Sequence, residues 1–303
     1  MAAADFLWQL DAVSLGPGRL REVSLTIGRG VTAIVGWSGA GKTSLLNVLA
    51  RFEKPDRGKI SGAPRVAWVP QNGGLWAHCT AREHLEIVRH SANGTGALLA
   101  AFDLADKAGA RPHELSEGEQ SRLAVARALA ADAEVFVMDE PLVHVDPARA
   151  GGYWRVIRER IAASGASLVF ATHVPETVLA EAECAICVRE GRVVSSGPVA
   201  ELYAEPSTPE LMNFLGPGNW LAPDEAKLWL NAEIAASRCF RPEQIAIEPA
   251  ADGPFHVIRE RFMGSVAEVE LRADAAGKSQ VFFHRPTRAR LDRGMHANIL
   301  LLA

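Results

Sequence analysis

One octapeptide constrains this chain more than any other stretch: Gly36–Trp37–Ser38–Gly39–Ala40–Gly41–Lys42–Thr43. It fits the pattern G-x-x-x-x-G-K-[ST]. Val31–Val35 before it is a short apolar run suited to a buried strand. Ser44–Ala50 after it carries apolar residues at helical spacing. A strand feeding a glycine-rich turn and then a helix aims a row of backbone N–H groups at one spot. Glycine removes the side chains that would stand between that backbone and a ligand. The helix start adds a dipole that favours an anion. The loop therefore suits a chain of phosphates. Gly36, Ser38, Gly39, Ala40, Gly41 and Ser44 are read as its cradle. Lys42 is read as the cation on the outer phosphates, and Thr43 as a hydroxyl ligand of Mg²⁺.

Four further stretches follow in order. Gln71 ends a short strand; taken alone it reads as a solvated loop residue. Leu115–Ser116–Glu117–Gly118–Glu119–Gln120–Ser121–Arg122 opens a helix, with Ser116 as N-cap and Glu119 closing a capping box. Glu134–Glu140 is an apolar run ending in two carboxylates, as expected of a strand buried in a parallel sheet. Ligands gather at the carboxyl ends of such strands. Asp139 is placed to hold hydrated Mg²⁺, and Glu140 to orient or deprotonate a water. Asp146–Pro147 starts a helix. Ser167–Ala171 is another apolar strand and ends at Thr172–His173.

Taken together and in this order, these motifs resemble the ATP-binding-cassette (ABC) ATPases. The six residues Leu115–Gln120 look like that family's signature sequence. The resemblance implies an α/β P-loop NTPase domain over residues 1–215, with a helical subdomain at about 75–130. It implies ATP and Mg²⁺ as ligands. Gln71 is then the residue sensing Mg²⁺ and the attacking water, and His173 the switch histidine. Asp146 lies in a loop crossing between subunits. The family works as a head-to-tail homodimer, in which Ser116 and Gly118 of one chain complete the site built on the other's Lys42. Phe214–Leu215–Gly216 and Phe240–Arg241–Pro242–Glu243 are similar to the linker and strand of cassettes carrying a C-terminal TOBE-type β-domain, here residues 216–303. The short strands expected there, from Gln244 onward, suggest a small barrel or sandwich.

That subclass implies an importer ATPase, bound to the inner face of the membrane through separate permease subunits and served indirectly by a solute-binding protein. Leu75–Thr80 lies where the family meets its permease. The alternatives are an exporter cassette, a non-transport cassette, or a P-loop kinase, which would lack the signature. Two departures stand out. Glu117 and Glu119 place carboxylates where the family has glycine and glutamine; the capping box accounts for Glu119 only. The stretch before the second strand, Ser14–Pro17, has no aromatic to stack on adenine. Leu15 packing is expected to hold the base loosely.

Composition bounds the rest. At 303 residues two domains are expected. A net charge of −4 argues against a general nucleic-acid binder. The start, Met1–Phe6, lacks the basic and apolar regions of a signal peptide. No run approaches the ~20 apolar residues of a membrane span. Cys184 and Cys187 have CxxC spacing but sit in an apolar run, and are expected to be buried strand residues rather than a metal or redox pair.

Overall fold

The apolar runs that flank the glycine loop become the middle of a sheet. The structure, a computed structural model, describes residues 6–89, 94–286 and 290–302. The chain forms two compact units, Met1–Val199 and Ala200–Ala303. In the first, the elements run β1 (Phe6–Leu15), β2 (Leu20–Gly28), β3 (Val31–Val35), α1 (Lys42–Leu49), β4 (Arg57–Ser61), β5 (Val66–Val69), α2 (Ala81–Val88), α3 (Thr95–Ala101), α4 (Glu117–Ala130), β6 (Val135–Asp139), α5 (Pro147–Ser164), β7 (Ser167–Ala171), α6 (Pro175–Glu181), β8 (Cys184–Arg189) and β9 (Arg192–Pro198). The second holds α7 (Val199–Ala204), which starts at the junction, then α8 (Pro209–Phe214), β10 (Asn219–Leu221), α9 (Pro223–Leu230), β11 (Arg238–Phe240), β12 (Ile245–Pro249), β13 (Phe255–Phe262), β14 (Ala267–Ala273), β15 (Ser279–His284) and β16 (His296–Leu301).

In the first unit a six-stranded sheet has the order β5-β6-β7-β3-β8-β9, parallel except for the antiparallel edge strand β9. Strands β6 and β7 are buried at every position, as their unbroken apolar sequence requires. Because β3, β6 and β7 run the same way, the ends carrying Gly36, Asp139 and Thr172 lie along one edge. A three-stranded antiparallel sheet, β2-β1-β4, shares a core with α1 that includes Trp8, Leu15, Leu45 and Leu49. Helices α2, α3 and α4 pack on one another.

The apolar spacing of Ala97–Lys107 in the sequence predicts one helix across that span, but α3 ends at Ala101. Asp103 takes φ +52, and the buried Arg122 guanidinium donates to the carbonyls of Phe102 and Asp103, turning the chain there. The sequence reads as a helix to His90 and a break over Ser91–Gly96; residues 90–93 lie outside the described residues, and Thr95 and Gly96 already belong to α3 rather than to the break. Cys184 is exposed and Cys187 buried, three positions apart on β8 and so on opposite faces. Burial pushes the Cys187 thiol up to about 12. Among the described residues, no helix is long and apolar enough to cross a membrane.

The second unit contains a five-stranded antiparallel sheet of order β12-β16-β13-β14-β15. Trp229 of α9 packs on Phe255 and Phe282 in its core. Among the described residues no ladder joins β15 to β12, so hydrogen bonding does not close the sheet into a barrel. Helix α9 is an addition to the expected run of strands. Pro223 occupies its first turn, and the Glu225 carboxylate accepts from the Ala222 N–H at 2.8 Å. The unit also begins one helix pair earlier than residue 216. Arg241, 1% exposed, holds α7 and α8 to it by donating to the carbonyls of Tyr203 (2.7 Å), Met212 (3.3 Å), Gly216 (3.0 Å) and Pro217 (3.1 Å).

Candidate active site

The glycine loop connects β3 to α1. Gly41, the N-cap of α1, has φ +111, and a methyl group there would lie 2.7 Å from the Arg19 carbonyl oxygen. Both the torsion and the backbone neighbour exclude a side chain. Lys42 Nζ lies across the loop, donating to the carbonyls of Gly36 (2.8 Å) and Trp37 (3.3 Å). Ser38 and Gly39 are exposed, whereas Gly36, Ala40 and Ser44 are buried. The Ser44 hydroxyl accepts from Arg19 Nε at 3.1 Å, and Arg19 is held in turn by a two-pronged pair with Glu53.

Two contacts bring the strand ends together. Thr43 Oγ1 donates to Asp139 Oδ2 at 2.6 Å. Asp139 is 2% exposed, and burial pushes its carboxyl above the ordinary range; the Thr43 hydrogen bond opposes that shift and the Glu140 charge adds to it. One residue on, Glu140 takes φ +50, a left-handed conformation rare outside glycine, and its N–H donates to the Ala171 carbonyl at 3.0 Å. That turn sets the Glu140 carboxylate 2.9 Å from His173 Nδ1. Gln71, Glu117, Gln120, Asp139, Glu140 and His144 all border one small cavity of about 140 Å³.

The other expected residues lie at helix starts. The Ser116 hydroxyl accepts from the Glu119 N–H (3.3 Å), and Glu119 reaches back to the Ser116 N–H (2.8 Å), which completes the capping box. A side chain at Gly118 would meet the His144 carbonyl at 2.8 Å, so the start of α4 sits against the loop before α5. Asp146 caps α5 by accepting from the Ala148 N–H at 2.9 Å. Glu117 is 83% exposed, with its carboxylate 3.7 Å from His144 Nδ1. Leu15 does not serve as an adenine platform: it pairs with Leu20 in the β1–β2 hairpin and is buried in the core.

A larger groove of about 960 Å³ also borders Gln71 and is lined by Asn47, Phe52, Trp68, Trp76 and Arg127 among others. Trp76 is stacked on the buried His84 at 5.2 Å, and the Arg127 guanidinium sits 5.0 Å from its ring centre. The Trp76 backbone N–H donates to His84 Nε2 and His84 Nδ1 donates to the Thr80 carbonyl, both at 2.8 Å, which fixes a neutral imidazole. Burial holds its pKa below the usual value. The sequence pointed to the stretch Leu75–Thr80, which contains Trp76, but to neither of that ring's supports. Arg127 carried a signal, as a cation in an otherwise apolar helical run; His84 carried none.

Residues 20–143 match the ABC transporter family. The chain is 32% identical to an Fe(3+) ions import ATP-binding protein, FbpC, of Pseudomonas fluorescens, over 88% of this chain and 85% of that one. It is 30% identical to a sulfate/thiosulfate import ATP-binding protein, CysA, of Thermosynechococcus vestitus, over 84% and 83%. Among solved structures, a dimeric ATP-binding cassette in a post-hydrolysis state with ADP and Pi is similar in fold, with a TM-score of 0.56 and 23% identity over 63% of this chain and 98% of that one.

Proposed function

The chain belongs to the ABC transporter family, and from that premise we propose that it is the ATP-hydrolysing subunit of an importer, driving solute uptake through separate membrane-spanning permease subunits. The observation that carries the reading is the meeting at the strand ends: Glu140 beside His173, one residue beyond the Thr43–Asp139 pair. Import ATP-binding proteins related over most of the chain's length support the direction of transport.

The donor set fits Mg²⁺. Thr43 and Asp139 offer two hard oxygens, and a buried carboxylate whose charge burial opposes is one that a cation would stabilise. When bound, Mg²⁺ supplies charge neutralisation on the β- and γ-phosphate oxygens. The remaining work falls to this chain. The backbone of Gly36–Ser44 cradles the phosphates. Lys42 leaves its carbonyl partners for the outer phosphate oxygens. Glu140 takes the proton of the attacking water as that oxygen adds to the γ-phosphorus and the bond to the β–γ bridging oxygen breaks. His173 holds the Glu140 carboxylate and the departing phosphate in register, and Gln71 reports occupancy to the neighbouring groove.

Two copies pair head to tail, with Ser116 and Gly118 of one facing Lys42 of the other and the Asp146 loops crossing. The dimeric cassette of similar fold supports that pairing. The exposure of the Glu117 side chain supports a solvated carboxylate, whose charge water screens from the phosphates. In this reading the Trp76 groove takes an apolar element of the permease, and the chain works at the cytoplasmic face of the membrane. The second unit is a TOBE-type domain. Related chains serve iron and sulfate import, which supports a cargo choice made by the permease and a solute-binding protein.

The test is affinity purification of the tagged chain from mild-detergent membranes of its host. A co-purifying multi-span permease is expected. Recovery of soluble partners only, or of none across several growth conditions, would overturn the importer reading.

A further inference from the structure

In the second unit, three ligand-type side chains from separate segments meet at one point: His256 on β13, Asp274 just after β14, and His296 on β16. One potential ligand atom from each lies within 4.8 Å of the others. The ATPase reading uses none of them. Strands β13 and β16 are hydrogen-bonded neighbours with His256 directly opposite His296, so both rings stand on one face of the sheet. Their centroids are 3.9 Å apart. Asp274 is carried in from the next turn and fixed there by its N–H, which donates to the Pro254 carbonyl at 3.1 Å.

The separations are informative. Asp274 Oδ1 is 3.6 Å from His256 Nε2, and Oδ2 is 3.5 Å from His296 Nδ1. Both exceed the usual N–H···O range of about 2.7–3.2 Å, so the cluster is not held by its own hydrogen bonds. Two ligands each about 2.1 Å from a tetrahedral ion lie about 3.4 Å apart, close to the His256–Asp274 spacing.

The ring of His296 is oriented from outside the cluster. Its Nδ1 is 2.7 Å from the Gly253 carbonyl, which can only accept, so Nδ1 carries a proton and Nε2 is the nitrogen left to bind an ion. That carbonyl is brought in by a close approach only glycine permits, since a Cβ on Gly253 would lie 2.4 Å from the Ala297 carbonyl oxygen. A backbone acceptor fixing the second nitrogen of a histidine is the usual outer partner of a metal-binding imidazole. Arg272, opposite His256 on β14, is exposed, so solvent screens its charge.

We propose that His256, Asp274 and His296 form a binding site for a divalent first-row transition ion, Zn²⁺ by ligand type, with the fourth position open to water. Two imidazoles and one carboxylate are a donor set such ions favour, and three protein ligands leave a tetrahedral ion one exchangeable position.

The test uses the full-length protein with excess Mg²⁺ to occupy the Thr43–Asp139 pair, titrated with Co²⁺ alone and then with Zn²⁺ in competition. One Co²⁺ per chain is expected, with the visible absorption of tetrahedral nitrogen and oxygen ligation, no thiolate charge-transfer band, and displacement by Zn²⁺. His256→Gln and Asp274→Asn should each weaken binding by about tenfold or more while leaving ATP turnover unchanged. Asp274 is exposed, so its variant keeps the test open if His256→Gln loosens the sheet. Absence of a saturable band, a thiolate-type spectrum, or binding unchanged in both variants would overturn the site.

Discussion

Replacing Arg241 by alanine tests how residues 200–216 are held to the second unit. The guanidinium is almost wholly buried and donates through Nε to one carbonyl, while its Nη1 is shared among three. It also lies 4.0 Å from the centre of the Tyr203 ring. A hydrogen bond to a charged group contributes about 1.5–3 kcal/mol, and the three-way sharing at Nη1 counts as little more than one. Burial opposes the charge, as the lowered Arg241 pKa reflects, and removes part of that gain. Stacking on Tyr203 restores about 1 kcal/mol. The net loss comes to about 3 kcal/mol, within the range for breaking a buried charged network. Hydrogen exchange read by mass spectrometry on the full chain gives the local value. Amides of α7, α8 and β11 that open with this contact should exchange about 100-fold faster in Arg241→Ala. Arg241→Lys should recover less than half, because one ammonium cannot span both sets of carbonyls. Exchange within about threefold of the parent in Arg241→Ala, or full recovery by lysine, would refute the reasoning.

The remaining predictions concern the first unit. Asp139→Asn should remove a carboxylate whose folded pKa is raised, a group that costs stability as pH rises from its unfolded pKa through its folded one. The nucleotide-free variant should therefore melt higher than the parent at pH 7 and lose that advantage toward pH 3, while Mg²⁺-dependent ATP turnover falls by about 100-fold or more. Calorimetry at the two pH values and a phosphate-release assay read both effects. Trp76→Ala should uncouple transport in the reconstituted complex and leave ATP affinity unchanged; loss of ATP binding would make Trp76 a core residue instead. With no aromatic at Ser14–Pro17 and Leu15 buried, GTP should compete with ATP within about tenfold, and a strong ATP preference in a competition assay would show a base contact elsewhere.

What the sequence disclosed follows from which interactions are local. The glycine loop, the capping box at Ser116 and the apolar strand ending in Asp139–Glu140 are each written in neighbouring residues, and each formed where its pattern indicated. Contacts between distant segments were legible only through resemblance. Thr43 meets Asp139 and Glu140 meets His173 because three parallel strands end on one edge, which no single stretch encodes. The same limit hid the approach of Glu117 to His144, the His84 and Arg127 supports of Trp76, and the meeting of His256, Asp274 and His296. Local pattern also misled. The apolar spacing of Ala97–Lys107 reads as one helix, but Arg122, nineteen positions beyond Asp103, turns the chain at that residue. Helix α9 was legible at Ala222–Pro223–Asp224–Glu225, where the start signal was outweighed by the Gly- and Pro-punctuated run around it.

The most direct measurement is ATP turnover by the purified chain and by Glu140→Gln, with ATP binding followed in parallel by equilibrium dialysis. Glutamine keeps the size of Glu140 and its place beside His173 but accepts no proton. The account expects ATP binding within about twofold of the parent and turnover lowered by about 100- to 10,000-fold, the range for losing a general base. Turnover unchanged in Glu140→Gln would contradict it, because the carboxylate at the end of β6 would then have no part in hydrolysis.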